Sequence, residues 1–279
     1  MIWPFPRKDR SQNGHPSNGH KVNGRSPDHV HRNLGSLPRV GEDGSDAEAV
    51  DVGIDSRLVV FSDPGGRQAE QYRGFRTNLR AMNPNDEPRT LLFTSAQPRA
   101  GKSVSVANIA LAMGEADQLR VCLVDADLRA GRVAQLFGAK MEPGLADVML
   151  DKVPPHEALQ SSCIPNLNLL TAGRFVHKPG EVLGSDYMQE LIAWLKRSHD
   201  YILFDSPPSM LFADAAELAR LTDGVVLVVA IGDTTQDDAE NALAQLGKVG
   251  ANLIGSFVTG APPLDQYERD TAVETVEYE

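Results

Sequence analysis

The sequence predicts a doubly wound α/β domain, a mostly parallel sheet with helices on both faces, and three observations predict it. Continuous Val/Ile/Leu-rich runs recur at residues 91–94, 121–125, 167–170, 201–205, 224–230 and 253–258. Helical patterns intervene, from Lys102 onward and across residues 235–246. Several runs end in a polar or acidic residue where a loop begins. Unbroken apolar strands separated by helices belong to a sheet buried on both faces. In such folds ligands bind at the carboxyl ends of the strands.

The elements divide the chain in three. Residues 1–56 are rich in Gly, Pro, Ser, Asn and His without an apolar period, so they are expected to form a disordered arm. This arm is either a solvated tail or an adaptor led by Trp3, Phe5, Arg7, Lys8 and Arg10. Residues 57–261 carry the α/β pattern. Residues 262–279 are acidic and aperiodic and are expected to be a mobile tail.

Composition narrows the function. With 279 residues and 41% hydrophobic content the chain can bury a full-sized core. A net charge of -11 disfavours general nucleic-acid binding, because no positive field is available to attract phosphate backbones. Two cysteines, Cys122 and Cys163, are too few for a disulfide framework and suit a reducing compartment. The longest apolar run, residues 224–232, is far short of the roughly 20 residues of a membrane span. The N-terminus MIWPFPRKDR lacks a signal-peptide hydrophobic stretch, so the expected location is the cytoplasm.

Three segments carry chemistry. In the first, TSAQPRAGKSVS, Gly101, Lys102 and Ser103 stand between a strand and a helix. A helix N-terminus offers unpaired N–H groups and a positive dipole end. Pro98, Arg99, Ala100, Gly101, Lys102, Ser103 and Val104 would form the phosphate cradle, Lys102 placing its charge on the β/γ-phosphates and Ser103 its hydroxyl on Mg2+. The second is VCLVDADLR, where Asp125 and Asp127 leave a strand end on the same side of extended chain. One such carboxylate can hold a metal and the other accept a proton; a plain helix-capping aspartate is the alternative. The third is YILFDSPPS, where Asp205 ends an apolar strand as a Walker B acid does. The three in order predict a nucleoside-triphosphate site.

These residues resemble those of the bacterial tyrosine kinases (BY-kinases, CpsD/CapB-like) of capsule and exopolysaccharide systems, themselves similar to MinD/ParA-like P-loop ATPases. The family's first loop, S-x-x-P-G-E-G-K-S, is matched by Ser95, Pro98, Gly101, Lys102 and Ser103, so Ala96 in place of a general Walker A glycine is normal there. Glu70, Arg73 and Arg76 match an E-x-x-R-x-x-R pattern followed by Thr77-Asn78-Leu79. DADLR, GLADVML, LLTAG, the PGEVLGSDYMQEL run and DSPPS followed by Asp214 are also similar, and the resemblance covers about residues 57–260.

The resemblance implies an ATP- and Mg2+-dependent tyrosine autokinase acting in polysaccharide chain-length control or export. Lys102 would stabilise the transferring phosphoryl, Asp125 would polarise the tyrosine hydroxyl, and Ser103, Asp127 and Asp205 would hold the metal shell. Glu70, Arg73 and Arg76 would lie on a subunit-contact helix of a ring, and Tyr267 and Tyr278 would be the acceptors. The implied partners are a membrane-embedded co-polymerase or chain-length regulator that activates the kinase, further copies of the chain, and a tyrosine phosphatase. The protein would then be peripheral to the membrane. The alternative function is a non-kinase, ATP-dependent assembly scaffold for the export machinery. A DNA-partitioning ATPase is disfavoured by the charge.

The sequence departs from the family at named positions. Arg99 replaces the loop glycine, which implies either backbone strain or an added cation near the phosphates. The tail has two tyrosines instead of a dense cluster. Thr259 stands where related ATPases often carry a base-binding asparagine, and Lys178 replaces an asparagine before Pro179.

Overall fold

In the computed structural model of the chain, residues 53–116 and 118–261 are described. The expected arm and tail, with Tyr267 and Tyr278, lie outside the described residues apart from residues 53–56. Packing with the domain includes residues before Arg57: Asp55 N–H donates to Leu136 O at 2.9 Å and Ile54 packs against the core.

The strands are β1 (Arg89–Ser95), β2 (Val121–Asp125), β3 (Gln160–Ser161), β4 (Leu167–Leu170), β5 (Tyr201–Asp205), β6 (Gly224–Ala230) and β7 (Leu253–Thr259). They form a seven-stranded sheet in the order β3-β4-β2-β5-β1-β6-β7. Every pairing is parallel except that of β3 with β4. The six apolar runs read from sequence are the six parallel strands. The two-residue β3 escapes such a reading because it has no apolar run of its own.

The helices are α1 (Val59–Ser62), α2 (Arg67–Ala81), α3 (Lys102–Gly114), α4 (Val133–Phe137), α5 (Leu145–Asp151), α6 (Pro155–Ala158), α7 (Pro179–Leu183), α8 (Asp186–Lys196), α9 (Asp214–Ala219) and α10 (Gln236–Lys248). They split between the two faces of the sheet. Leu91 and Phe93, Val121 and Leu123, and Tyr201 and Leu203 join one core with residues of α1 to α4. The alternate residues Leu92, Cys122, Val124, Ile202 and Phe204 join a second core with residues of α5, α7, α8, α9 and α10. Successive side chains of a strand point to opposite faces, so a strand apolar at every position requires a helical layer on each side.

The helix that matters most for the site is α3, buried almost throughout. Its small residues Ala107, Ala110 and Ala112 let it lie close to the sheet. Asn108 is fully buried but satisfied: its Oδ1 accepts Val60 N–H at 3.0 Å, and its Nδ2 donates to Arg57 O and Val104 O. A buried amide with all these bonds fixes α1 against α3 instead of destabilising the core. Helix α2 docks by aromatics, with Phe75 edge-on to Phe257 of β7 at 5.1 Å and Tyr72 stacked on the same ring at 5.4 Å. At the start of α10, Thr235 caps the helix by accepting Asp238 N–H. No helix among the described residues is long and apolar enough to cross a membrane.

Candidate active site

Strands β2, β5 and β1 are adjacent and parallel, so their carboxyl ends open side by side. Register pairs Asp125 of β2 with Asp205 of β5, and Asp205 with Phe93 of β1. The sheet alone therefore brings both sequence-read strand-end acids next to the loop that follows β1.

That loop is shaped at two backbone positions. Arg99 has φ 66° and Gly101 φ 77°, both left-handed. Glycine adopts that region without penalty, whereas a residue with a Cβ is strained there by about 1–2 kcal/mol. The sequence left open whether the loop needed such a conformation at Arg99, and it does. Ser95 Oγ braces the turn by donating to Gln97 O at 2.7 Å, and Thr259 Oγ1 donates to Ala100 O at 3.0 Å. Thr259 thus ties the end of β7 to the loop, a role sequence reasoning did not foresee when it compared this position with a base-reading asparagine.

Helix α3 has no side-chain cap, and Ser105 N–H to Gly101 O, at 2.9 Å, opens its backbone ladder. The N–H groups of Lys102, Ser103 and Val104 precede that bond and lie at the positive end of the helix dipole. Pro98 and Arg99 are exposed and Ala100 is buried, which puts the front of the loop at the surface.

Lys102 is buried, and its Nζ donates to Asp205 Oδ1 at 2.6 Å while lying 3.5 Å from Ser103 Oγ. The second oxygen of Asp205, Oδ2, is buried with no hydrogen-bond partner. A buried carboxylate oxygen left unpaired is costly, so it marks a place where a cation or a donor fits.

Asp125 is fully buried, accepting Val133 N–H on Oδ2 at 2.9 Å and Asp127 N–H on Oδ1 at 3.2 Å. Burial, followed by the charge of Asp205, pushes its carboxyl well above the ordinary range. Asp127 is nearer the surface, and its Oδ1 takes N–H bonds from Arg129 and Ala130. Burial raises its pKa too. Gly131 is required here, since a Cβ at that position would stand 2.9 Å from Asp125 Oδ2 and 2.6 Å from Ala172 Cβ.

A further link was invisible in sequence. Arg129 forks onto Asp214, Nε to Oδ2 at 2.8 Å and Nη2 to Oδ1 at 3.2 Å, and stacks over Phe212 at 4.2 Å. This joins the loop after β2 to the start of α9. Neither residue signals the pairing alone, although each lies in or beside a segment, DADLR or DSPPS, that resembles the family.

The group fits Mg2+ with a triphosphate. Among the described residues no three carboxylate, His or Cys side chains converge as a ready cation site. Mg2+ does not need one, because it binds through one or two carboxylates and fills its octahedron with phosphate oxygens and water. The unpaired Asp205 oxygen and the Ser103 hydroxyl beside Lys102 supply protein donors of the right kind.

The expected contact residues make bonds within one copy. Arg73 chelates Glu115 with Nε and Nη2, both at 2.8 Å, while its Nη1 reaches Glu70 at 2.6 Å and Pro64 O at 2.7 Å. Arg76 donates to Ala112 O at 2.6 Å. Both arginines fasten α2 to the end of α3 within one copy, and the Glu70 side chain remains mostly exposed. Lys178, ahead of α7, pairs with Glu181 at the surface.

Fold and loop together define the class, a P-loop nucleotide-binding domain. A family model described as an AAA domain matches residues 94–253. The tyrosine-protein kinase YwqD of Bacillus subtilis (strain 168) is 34% identical over 203 residues, covering 73% of this chain and 85% of that protein. The kinase domain of the Escherichia coli tyrosine kinase ETK superposes with a TM-score of 0.70 at 25% identity, over 80% of this chain and 82% of that one. MinD of Pyrococcus horikoshii OT3, complexed with Mg-ADP, shares the fold with a TM-score of 0.53 at 23% identity, over 67% of this chain and 79% of that one. The chain belongs to the bacterial tyrosine-protein kinase family and carries its AAA-type P-loop domain.

Proposed function

We propose that this chain is an ATP-dependent protein-tyrosine autokinase serving capsular or exopolysaccharide synthesis, acting on Tyr267 and Tyr278 of a neighbouring copy. The observation that carries the reading is the buried Lys102–Asp205 pair at the mouth of the phosphate loop, with Asp205 Oδ2 unpartnered. Similarity to the tyrosine kinases YwqD and ETK supports tyrosine as the acceptor.

In this mechanism the N–H groups opening α3 and the Lys102 ammonium hold the phosphates. When bound, Mg2+ would neutralise the phosphate charge, held by Ser103, Asp127 and Asp205. Asp125 acts as the base. Its raised proton affinity matches it to a tyrosine hydroxyl with an ordinary pKa of about 10, and its two backbone bonds fix its direction while leaving lone pairs free. Most of the acceleration comes from positioning and charge neutralisation. In the proposed assembly the α2 helix with Glu70, Arg73 and Arg76 lies at the contact with the next subunit of a ring. The exposed Glu70 reaches across, while Arg73 and Arg76 hold α2 to α3. A membrane-embedded chain-length regulator switches the kinase on at the membrane face, and a phosphatase resets it. Each phosphate adds up to about -2 to an already acidic tail, favouring release of the ring by repulsion.

The test is incubation of the full chain with Mg-ATP and its activator, followed by phosphosite mapping. Phosphate on Tyr267 or Tyr278 in the native protein, and none in Lys102→Met, is the expected result. Silence at both tyrosines removes autophosphorylation. The scaffold reading, favoured by a tail with only two tyrosines, then requires the Tyr267→Phe/Tyr278→Phe protein to keep nucleotide-dependent assembly.

A further inference from the structure

We infer that Arg99 and Arg132 form a cationic lip on the catalytic edge that selects tyrosines set among acidic residues, an inference that deepens the kinase reading and rests on it. The cations on the loops leaving the carboxyl ends of β1, β2 and β4 fall into two groups. Lys102 is paired with Asp205, Arg129 with Asp214, Arg174 with Asp151 at 2.8 Å, and Lys178 with Glu181 at 2.8 Å. Arg99 and Arg132 are exposed and have no ion-pair partner among the described residues.

Both are mounted on the catalytic group through the backbone. Arg99 lies three residues before Lys102 in the rigid turn braced by Ser95 and Thr259. Arg132 immediately precedes Val133, whose N–H is bonded to Asp125. Asp125 is in register with Asp205, and Asp205 binds Lys102. The two arginines are therefore exposed on the loops that carry Lys102 and hold Asp125. Arg99 is also held in the left-handed region, where glycine would relieve strain. A strained residue kept at a site edge points to a side chain with a task.

On the other side of β1, the loop after β6 and the start of α10 expose Asp233 and Asp237. An acidic peptide is accordingly drawn toward the β1–β2 side. In a chain of net charge -11 such a lip stands out against the rest of the surface, and this chain holds ligands of the matching type. Tyr267 lies among Asp265, Glu268 and Asp270, and Tyr278 between Glu277 and Glu279. Exposed charge pairs are individually modest and salt-sensitive, so the lip acts on selection among peptides more than on the chemical step.

The test compares peptides as substrates of the full-length, activated protein with Mg-ATP. One peptide is LDQYERD, as in this chain; the other has its acids replaced by Asn and Gln. The native protein is expected to prefer the acidic peptide in kcat/KM by about fivefold to tenfold, the preference fading with salt. Arg132→Gln and Arg99→Gly should each erode that ratio, and Arg132→Glu should favour a Lys-flanked peptide. Equal use of both peptides by the native protein overturns the lip, as does a loss that falls equally on both peptides in the variants. A raised KM for ATP in Arg99→Gly with the peptide ratio intact overturns the assignment of Arg99 and gives it to the phosphates. Absence of transfer to any tyrosine peptide by protein that binds ATP overturns the kinase reading, and the lip with it.

Discussion

Lys102 Nζ and Asp205 Oδ1 meet at 2.6 Å, with 8% of the lysine side chain and none of the aspartate exposed. The phosphate-loop lysine is thus paired with the acid that ends β5, and a nucleotide bound at the loop is expected to share or exchange that partner. Such a pair is weak evidence for stability, but breaking it from one side strands a buried charge. Lys102→Met is expected to lose phosphotransfer and about 3 kcal/mol of stability in urea unfolding. Adding Asp205→Asn should return most of the stability and none of the activity. A Lys102→Met protein as stable as the native one would show that the pair is not ionic in solution.

Arg99→Gly separates strain from contact. With φ 66° at Arg99, removing the Cβ should stabilise the fold by about 1 kcal/mol, the extra freedom of glycine in the unfolded chain reducing the gain. That corresponds to a rise of about 2–4 °C in Tm for a domain of this size. Arg99→Ala keeps the Cβ and should show no such rise. An equal rise in both variants would point to charge, not backbone, as the source.

The sequence displayed most of this fold for a physical reason. A strand buried on both faces is apolar at every position, so residues 121–125 and 224–230 announce themselves without any partner. Parallel topology then places strand-end residues on one edge, which is why Asp125, Asp127, Asp205 and the Gly101–Lys102–Ser103 loop were legible as a group. What stayed hidden depends on the path of the chain between elements. Glu115, which occupies Arg73, lies at the far end of another helix, and Asp214 meets Arg129 across a long stretch of chain. The need for Gly131 follows from the closeness of Asp125 and Ala172, which no spacing rule encodes.

Away from the site, Asp223 clamps the start of β1. Its Oδ2 accepts Thr90 N–H at 2.7 Å and Thr90 Oγ1–H at 2.8 Å, and pairs with Lys196 at 2.8 Å. Burial alone would push its carboxyl up, but the bonds from Lys196 and Thr90 outweigh it and hold the pKa below its ordinary value of 3.8. A lowered folded pKa gives stability that is fully present above the unfolded value and is lost as pH falls through the folded one. Asp223→Asn should therefore cost about 1–2 kcal/mol at neutral pH, the gap from the native protein closing below about pH 4. Urea midpoints measured from pH 7 to pH 3 check this, and a gap that widens in acid contradicts it.

Arg129 ties chemistry to scaffold through both its backbone and its side chain. Its N–H, with that of Ala130, holds Asp127 Oδ1, while its guanidinium forks onto Asp214, whose side chain is 2% exposed. Arg129→Met keeps an unbranched apolar chain but removes the guanidinium that stacks on Phe212 and its charge, leaving Asp214 buried and unpaired. The arginine is itself partly exposed, so the expected loss is moderate, about 2 kcal/mol, with part returned by Asp214→Asn. Arg129→Lys retains a charge without the two-pronged geometry and should fall between. If the fork also aligns Asp127, phosphotransfer in Arg129→Met should drop about tenfold with ATP affinity nearly unchanged, since alignment acts on the reacting geometry. Single-turnover transfer measured beside equilibrium nucleotide binding separates the two effects. Transfer rates that follow only the folded fraction would leave Arg129 a purely structural tie.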